Sequence, residues 1–139
     1  LTISLENMEE HIYDIAGIRV ICPFLDDVYD LERALLEQDD ITLVKRKDYI
    51  KKPKSNGYRS LHLVVAVPIF LSGGKRLVKV ELQIRTIAMD SWASLEHQLR
   101  YKKEFCLTQN TERELKRCAE LSAELDSRME MLRQNIIGD

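Results

Sequence analysis

The sequence has few of the residues that cross-link a chain or anchor it in a membrane. Its 139 residues include three cysteines, Cys22, Cys106 and Cys118, and no two of them are closely spaced. An odd number of scattered cysteines argues against a disulfide framework and against a cysteine zinc site. No apolar run is long enough to cross a bilayer, and the first residues lack the basic-then-apolar order of a signal peptide. We therefore expect a cytoplasmic protein with reduced cysteines.

The sequence also lacks internal repeats, low-complexity segments and a large net charge. Its formal net charge is −2, with 45% hydrophobic and 32% charged residues, which is ordinary for one folded domain. A chain this close to neutral has no general attraction to nucleic acid. RNA binding would be weak and would depend on a single basic stretch.

That basic stretch runs from Lys45 to Arg59 and contains seven basic side chains and one acid. Pro53 removes a backbone donor and Asn56-Gly57 favours a turn with positive φ, so we interpret the stretch as a loop that leads into a strand. Tyr58 and His62 follow, four positions apart. Concentrated positive charge beside an aromatic ring suits an anionic ligand that carries a ring. The alternative is a solvated basic loop that binds nothing.

The pattern of the remaining residues predicts four strands and four helices. The strand candidates are residues 18–22, 41–44, 61–69 and 75–86. The helix candidates are residues 4–13, 26–37, 87–104 and 111–136. We expect Asp26 or Asp27 to cap the second helix and Thr111 to cap the last. Arg19 interrupts the first strand and needs a partner or a ligand, and Asp14 is the plausible ion-pair partner.

A hairpin should bring polar residues of two strands together. The turn Ser72-Gly73-Gly74 predicts that the third and fourth strands pair antiparallel. Alternation in the fourth strand places Val80, Leu82 and Ile84 towards the core and the other side chains opposite, namely Lys79, Glu81, Gln83 and Arg85. We expect Glu81 and Gln83 to share that surface with His62 and to border a ligand site. Plain exposure to solvent would explain the same polar residues.

Two helices carry apolar stripes that bear on the architecture. The stripe of the third helix is Ala88, Trp92, Leu95 and Leu99, with Glu96 near its edge. The seam of the last helix alternates spacings of three and four, through Leu115, Cys118, Ser122, Leu125, Met129, Leu132 and Ile136. We expect an α/β (α+β) fold in which helices flank a mixed, mainly antiparallel sheet. Residues 1–105 would form the domain and residues 106–139 a helical oligomerisation region.

Four motifs together carry a family resemblance. They are DIAGIR from Asp14, KDYIxxPKxNGYRSLH from Lys47, VELQIRT from Val80 and MDxWAxLEH from Met89. In this combination the chain resembles the RelA/SpoT-type (p)ppGpp synthetases, specifically the small single-domain alarmone synthetases. The resemblance implies a nucleotidyltransferase-like fold and a Mg²⁺-dependent GTP diphosphokinase of the stringent response. Such an enzyme moves pyrophosphate from ATP to the 3′-hydroxyl of GDP or GTP.

The resemblance also implies a role for each matching residue. Asp14 and Glu81 match the metal-binding and catalytic acids, and Glu81 would activate the 3′-hydroxyl. Tyr58 matches the ring on which guanine stacks. The other residues on the GDP or GTP side are Asn56, His62, Gln83 and Glu96. The residues on the ATP side are Arg19, Lys47, Lys51 and Lys54.

The resemblance leaves three expectations about the whole protein. The family's ATP site draws on an upstream motif, Arg-x-Lys-Ser-x-x-Ser-x-x-x-Lys, and nothing before Asp14 matches it. We expect the chain to be a shortened form of a longer protein, rather than a decayed enzyme, because Glu81 and the acceptor-side residues are intact. We also expect a homotetramer assembled through the C-terminal helices. A guanine-nucleotide or single-stranded-RNA binding module without catalysis remains the alternative, and it would not need Asp14 and Glu81.

Overall fold

A four-stranded mixed sheet lies at the centre of the fold. The computed structural model describes residues 12–102 and 107–138, and the side chains of residues 16–101 and 107–137. Its strands are β1 (Ile12–Cys22), β2 (Thr42–Asp48), β3 (Leu61–Leu71) and β4 (Gly74–Thr86). Their spatial order is β1-β4-β3-β2. Only β1 and β4 pair parallel, and the other neighbours pair antiparallel, so the predicted mixed, mainly antiparallel sheet is confirmed.

Within residues 12–102 and 107–138, three α-helices accompany the sheet. They are α1 (Leu25–Leu36), α2 (Ile87–Lys102) and α3 (Gln109–Arg133), and α3 continues into a short π-helical segment (Gln134–Gly138). The helix predicted near Ser4 lies outside the described residues, apart from its expected end, which falls within β1. Across the two described ranges, no helix is both long enough and apolar enough to span a membrane.

The core lies between α1 and one face of the sheet. Val28 of α1 is fully buried against alternate residues of β3 and β4, together with Cys22 at the end of β1; the strand residues are Leu61, Leu63, Val65, Leu82 and Ile84. The alternation predicted for both strands is therefore confirmed. Of the cysteines, Cys22 is a buried free thiol, Cys118 is an exposed one, and Cys106 lies outside the described residues.

All four strands are longer than predicted, and β1 and β2 differ most. β1 begins at Ile12, six residues before the predicted start, because its first residues pair with β4 from Leu77 onwards. β2 continues to Asp48 and includes three of the basic residues predicted to lie in a loop. They pair with β3 in the register Lys45↔Val64 to Asp48↔Leu61. Lysine and arginine are well tolerated here because β2 is an edge strand.

Both predicted helix caps were wrong. The N-cap of α1 is Phe24, and Asp27 lies three residues further on, where its carboxylate accepts a hydrogen bond from the Phe24 N–H at 3.2 Å. The N-cap of α3 is Thr108, whose hydroxyl accepts from the N–H of Thr111 at 3.2 Å. In each case the residue predicted as the N-cap lies in the first turn, and the helix begins before it.

The predicted apolar stripes are only partly buried. In α2, Trp92 is buried, but Leu95 and Leu99 are 59% and 49% exposed. In α3, the buried positions are Leu115, Ala119, Asp126 and Glu130, whereas Leu125, Met129 and Leu132 of the seam are exposed. The helix docks through this partly charged face because Asp126 and Glu130 bond to groups on the domain. Most of the apolar seam therefore lies on the surface of the chain.

Candidate functional site

Glu81 separates two hollows on the surface of the sheet. It lies in the middle of β4, paired with Gly17 of β1 on one side and with Val64 of β3 on the other. The β2-side hollow has a volume of about 230 Å³ and is lined by Lys45, Lys47, Tyr49, His62, Val64 and Glu81. The β1-side hollow has a volume of about 370 Å³ and is lined by Gly17, Ile18, Arg19, Glu81 and Gln83. One carboxylate therefore borders two adjacent cavities.

The β2-side hollow combines basic and aromatic groups. Lys47 lies directly opposite His62 in the β2–β3 register. The rings of Tyr49, Tyr58 and His62 meet edge to face, with centroids 5.2 to 6.1 Å apart. Tyr49 was missed by the sequence reasoning, although it is an aromatic residue within the longest motif, directly after a charged strand. This side of the site can hold both a phosphate and a ring.

Tyr58 is oriented by hydrogen bonds at its hydroxyl group. Arg85 is buried and donates to that oxygen, and it also donates to Gln83 Oε1 at 2.7 Å and to Asp90 at 3.1 Å. The hydroxyl group lies 2.9 Å from His62 Nε2. Arg85 donates to the hydroxyl oxygen, and the tautomer of His62 decides which of Tyr58 and His62 donates in the second hydrogen bond. The sequence assigned no role to Arg85. Because its side chain is buried, exposure to solvent does not explain the polar residue at this position of β4.

His62 is held in its neutral form. Its half-buried ring lies near Arg85 and Lys54, and desolvation followed by these positive charges lowers its pKa below the ordinary value of 6.5. Glu81 acts in the opposite direction, but it is the weaker influence than Arg85. The neutral imidazole is therefore favoured at neutral pH.

The turn predicted at Asn56-Gly57 is confirmed. Asn56 Oδ1 accepts a hydrogen bond from the Tyr58 N–H at 2.9 Å, and the Gly57 N–H donates to the Lys54 carbonyl at 2.8 Å. Gly57 has φ +101°, and a Cβ at this position would lie 2.6 Å from Ala119 Cβ. Glycine is therefore required both for the turn and for the close approach of the turn to α3. The side-chain carbonyl of Asn56 is therefore used in a hydrogen bond within the turn.

The predicted loop lysines lie in different places. Lys54 Nζ is 4.9 Å from the Tyr49 ring centroid and 5.2 Å from that of Tyr58, so it lies beside the β2-side hollow. Lys51 Nζ is 5.6 Å from the ring centroid of Tyr29 on α1 and lines a different hollow. The structure therefore brings Lys54, but not Lys51, to the surface that Glu81 shares.

Arg19 lies in the β1-side hollow and is 56% exposed at its side chain. Its NH1 is 3.4 Å from Asp90 Oδ1, and Asp90 also forms an ion pair with Arg85. The ion-pair partner that the structure shows is thus Asp90, whereas the side chain of Asp14, the partner considered from the sequence, is not among those described. The exposed guanidinium group remains accessible to a ligand.

Of two further predicted acids, Glu96 lines neither hollow, and the side chain of Asp14 is outside those described. Asp14 lies on β1 three positions before Gly17, the residue paired with Glu81. Glu96 lies on α2 one turn after Trp92, which packs in the same cluster as Tyr58. The Glu96 carboxylate forms an ion pair with Arg100, which also bonds to Glu112, and it lines neither hollow.

Comparison with known proteins gives one family. The model described as "Region found in RelA / SpoT proteins" matches residues 3–105. The chain is 49% identical to GTP pyrophosphokinase YwaC and 40% identical to GTP pyrophosphokinase YjbM, both from Bacillus subtilis (strain 168), in each case over 127 residues. These matches cover 91% of this chain and 60% of each relative. The chain thus spans about three fifths of the length of these curated relatives.

Solved structures share the fold. Small alarmone synthetase 2 from Bacillus subtilis matches with a TM-score of 0.84 and 43% identity, over 96% of this chain and 77% of that one. Small alarmone synthetase 1 from the same organism, bound to its product pppGpp, matches with a TM-score of 0.80 and 39% identity, over 86% and 62%. The same enzyme bound to AMPCPP matches with a TM-score of 0.70 and 32% identity, over 88% and 61%.

Proposed function

The chain belongs to the RelA/SpoT family, and from this premise we propose that it is a GTP diphosphokinase that makes (p)ppGpp for the stringent response. It would transfer pyrophosphate from ATP to the 3′-hydroxyl of GDP or GTP. The observation that carries the proposal is the position of Glu81, whose carboxylate borders both the basic, aromatic β2-side hollow and the β1-side hollow that contains Arg19. A group-transfer enzyme needs two adjacent substrate sites with a catalytic group between them.

The β2-side hollow is proposed to bind the guanine nucleotide. Tyr58 would stack on the base, and Lys47 and His62 would contact the phosphates and the ribose. The family motifs also assign Asn56, Gln83 and Glu96 to the acceptor side. Gln83 lines the β1-side hollow and would act on the acceptor side through Arg85, which donates to both Gln83 and the Tyr58 hydroxyl, whereas Asn56 and Glu96 line neither hollow. The structure of a similar enzyme with pppGpp supports a guanosine polyphosphate as the occupant.

The β1-side hollow is proposed to bind ATP. The planar guanidinium group of Arg19 would pack on the adenine, and its exposure leaves a face free for that contact. Lys54 would neutralise phosphate oxygens between the two hollows. The motifs also assign Lys47 and Lys51 to ATP, but Lys47 lines the β2-side hollow and Lys51 lines a third one, so Lys54 is the loop lysine that we propose for ATP. The similar enzyme bound to AMPCPP, an ATP analogue, supports this assignment.

In the proposed reaction, the 3′-hydroxyl oxygen of the guanine nucleotide attacks the β-phosphorus of ATP. The new bond joins this oxygen to the β-phosphorus, and the bond between the β-phosphorus and the α,β-bridging oxygen breaks. AMP leaves with that oxygen, and the hydroxyl proton passes to the Glu81 carboxylate. The two hollows would hold the reacting groups close together, and the lysines would stabilise the phosphate charges.

Phosphoryl-group transfer generally uses a divalent metal, and we propose Mg²⁺ held by Asp14 and Glu81. In the described part of the chain, no group of three or more His, Cys, Asp or Glu side chains could hold a metal unaided. The donor set still fits Mg²⁺, which commonly takes one or two protein carboxylates and completes its ligands with phosphates and water. When bound, the metal would neutralise charge on the triphosphate.

The remaining assignments concern partners and location. We propose a homotetramer in which the exposed seam of α3 contributes to the contact, with residues 106–139 as the oligomerisation region attached to a synthetase domain of residues 1–105. We propose the cytoplasm as the location, because ATP and guanine nucleotides are available there. Any RNA binding would be weak and would use the basic residues of β2 and the following loop.

The test is conversion of substrates. ATP and GTP are incubated with the chain and Mg²⁺, and nucleotides are separated by anion-exchange chromatography. We expect AMP and a new guanine nucleotide in equal amounts, no conversion with chelator, and no conversion with Glu81→Gln. Glu120→Gln, at an exposed position of α3, is the matched control and should keep full activity. Guanine-nucleotide binding without any conversion would instead favour the non-catalytic binding module.

A further inference from the structure

A buried ion pair connects α3 to the loop that carries Tyr58. Arg59 and Asp126 are each 7% exposed, and the Arg59 NH2 group donates to Asp126 Oδ2 at 3.0 Å and to Ser122 Oγ at 3.0 Å. The two charged residues are 67 positions apart in the sequence. A charge pair buried to this extent depends on both partners, because either residue alone would be an uncompensated buried charge.

The same loop contacts α3 at two further points. Gly57 packs so closely on the helix that only a hydrogen atom fits between its Cα and Ala119. The ring of Tyr58 packs against the cluster formed by Trp92, Leu115 and Ala119. Three consecutive residues, from Gly57 to Arg59, are thus held by α3, and the middle one is the proposed platform for guanine.

Asp126 also bonds to β4, the strand whose Arg85 orients the hydroxyl group of Tyr58. Its Oδ2 atom accepts a hydrogen bond from the Thr86 hydroxyl at 2.8 Å. Thr86 follows Arg85, whose guanidinium group donates to the hydroxyl of Tyr58. One carboxylate therefore fixes Tyr58 from two directions, through Arg59 on the main chain and through the end of β4 at the hydroxyl group.

We propose that Asp126 is a positioning residue for the guanine-nucleotide side of the site, which makes α3 part of the acceptor site although no residue of α3 lines either hollow. The proposal rests on the proposed function, because it takes Tyr58 to be the platform for the base. It differs from a purely structural role in one measurable respect. Loss of Asp126 should affect the guanine nucleotide and leave ATP largely unaffected, since Arg19 lies on β1 and bonds to Asp90 of α2.

The test compares Asp126→Asn with Glu124→Gln, which removes a charge from an exposed ion pair on the same helix. The KM values for GTP and for ATP are measured separately, and GTP binding is measured by calorimetry without ATP. Fluorescence of Trp92, the single tryptophan of the chain, reports whether α3 remains docked, because its indole N–H donates to the Leu115 carbonyl at 2.9 Å.

We expect Asp126→Asn to raise the KM and the dissociation constant for GTP about tenfold, as for the loss of one charge-assisted hydrogen bond. The KM for ATP should change by less than about twofold, and Glu124→Gln should match the unmodified chain. If Asp126→Asn does not fold, Ser122→Ala removes only the hydrogen bond that Arg59 donates to Ser122 Oγ of α3 and should raise the KM for GTP about twofold to threefold.

The outcomes separate this proposal from the proposed function. Unchanged GTP binding in folded Asp126→Asn, or equal weakening of GTP and ATP, overturns the positioning role while the enzyme assignment stands. GTP binding that is weakened in Asp126→Asn, in a chain that forms no product, overturns the enzyme assignment and keeps the positioning role. A chain that does not bind GTP at all overturns both.

Discussion

The hydroxyl group of Tyr58 lies 2.9 Å from Nε2 of His62. Arg85 donates to the same hydroxyl oxygen, so Tyr58 joins Arg85 to His62. The two residues are four positions apart, one at the end of a loop and one in β3, and the hydrogen bond joins the proposed base platform to the proposed phosphate side. The environment of His62 also gives a prediction about pH.

The pKa of His62 is lowered in the folded chain, first by burial and then by Arg85 and Lys54. As the pH falls below 6.5, the unfolded chain takes up a proton at this residue and the folded chain does not, so the free energy of unfolding falls. We expect the free energy of unfolding of His62→Gln to fall less between pH 7.5 and 5.5 than that of the unmodified chain. Urea unfolding at the two pH values measures it. His97→Gln, at an exposed position of α2, is the control, and identical pH dependence in His62→Gln and the unmodified chain would contradict the assignment.

Two substitutions at Tyr58 separate stacking from packing. Tyr58→Ala should weaken GTP binding by about 1 to 3 kcal/mol, the usual range for base–aromatic stacking, with little effect on ATP. Because the ring also packs against Trp92 and Leu115, Tyr58→Phe is needed as the variant that keeps the ring and removes the hydroxyl. It should retain most of the GTP affinity. Calorimetry with both nucleotides decides the matter, and equal losses for GTP and ATP in Tyr58→Ala would show that the ring acts only in the core.

The two hollows differ in their positive charge, which predicts different affinities. The β2-side hollow contains Lys45 and Lys47, whereas Arg19 is the only basic residue among those that line the β1-side hollow. Because the two linings differ by one basic side chain, and one charge-assisted contact contributes about 1.5 kcal/mol, this chain should bind GTP about tenfold more tightly than AMPCPP. Titration with each nucleotide measures the ratio. Equal affinities would show that the donor site is complete within these residues.

The exposed seam of α3 predicts a subunit contact. Leu125 is 51% exposed, next to Met129 and Leu132 on the same helix face. Leu125→Glu should leave the chain folded but lower its mass in solution, because a charge would have to be buried in the contact. Light scattering after gel filtration measures the mass, and Glu120→Lys, on another exposed part of α3, should keep it. An unfolded Leu125→Glu, or an unchanged mass, would exclude this helix face as the contact.

The sheet and its hairpin could be predicted because short-range patterns determine them. Alternation from Leu61 to Val65 and from Val80 to Ile84 predicted which side chains are buried, and the glycines predicted the turn. The actual turn consists of Ser72 and Gly73, since Gly74 already pairs with Leu71. Such patterns depend only on neighbouring residues, so no knowledge of the tertiary structure is needed.

The docking of α3 could not be predicted in this way. The seam was identified by its apolar spacing, but the helix docks through a face in which Asp126 bonds to Arg59, far away in the sequence. Apolar periodicity does not reveal a buried ion pair. Arg85 was missed for the same reason, because its partners at Tyr58 and Asp90 are assembled only by the folded sheet. Leu95 and Leu99 were expected to be buried, and they are exposed because α2 packs through Met89 and Trp92 instead.

The central claim is that pyrophosphate moves from ATP to a guanine nucleotide with Glu81 as the base, and labelled ATP tests it most directly. With GTP and Mg²⁺ present, label in the γ-phosphate should appear in a guanine nucleotide, and label in the α-phosphate should appear in AMP. Glu81→Gln should transfer no label while it binds GTP within about twofold of the unmodified chain, because the change acts on the hydroxyl group rather than on the base. Release of the γ label as free phosphate, or label transfer that persists in Glu81→Gln, would contradict the account.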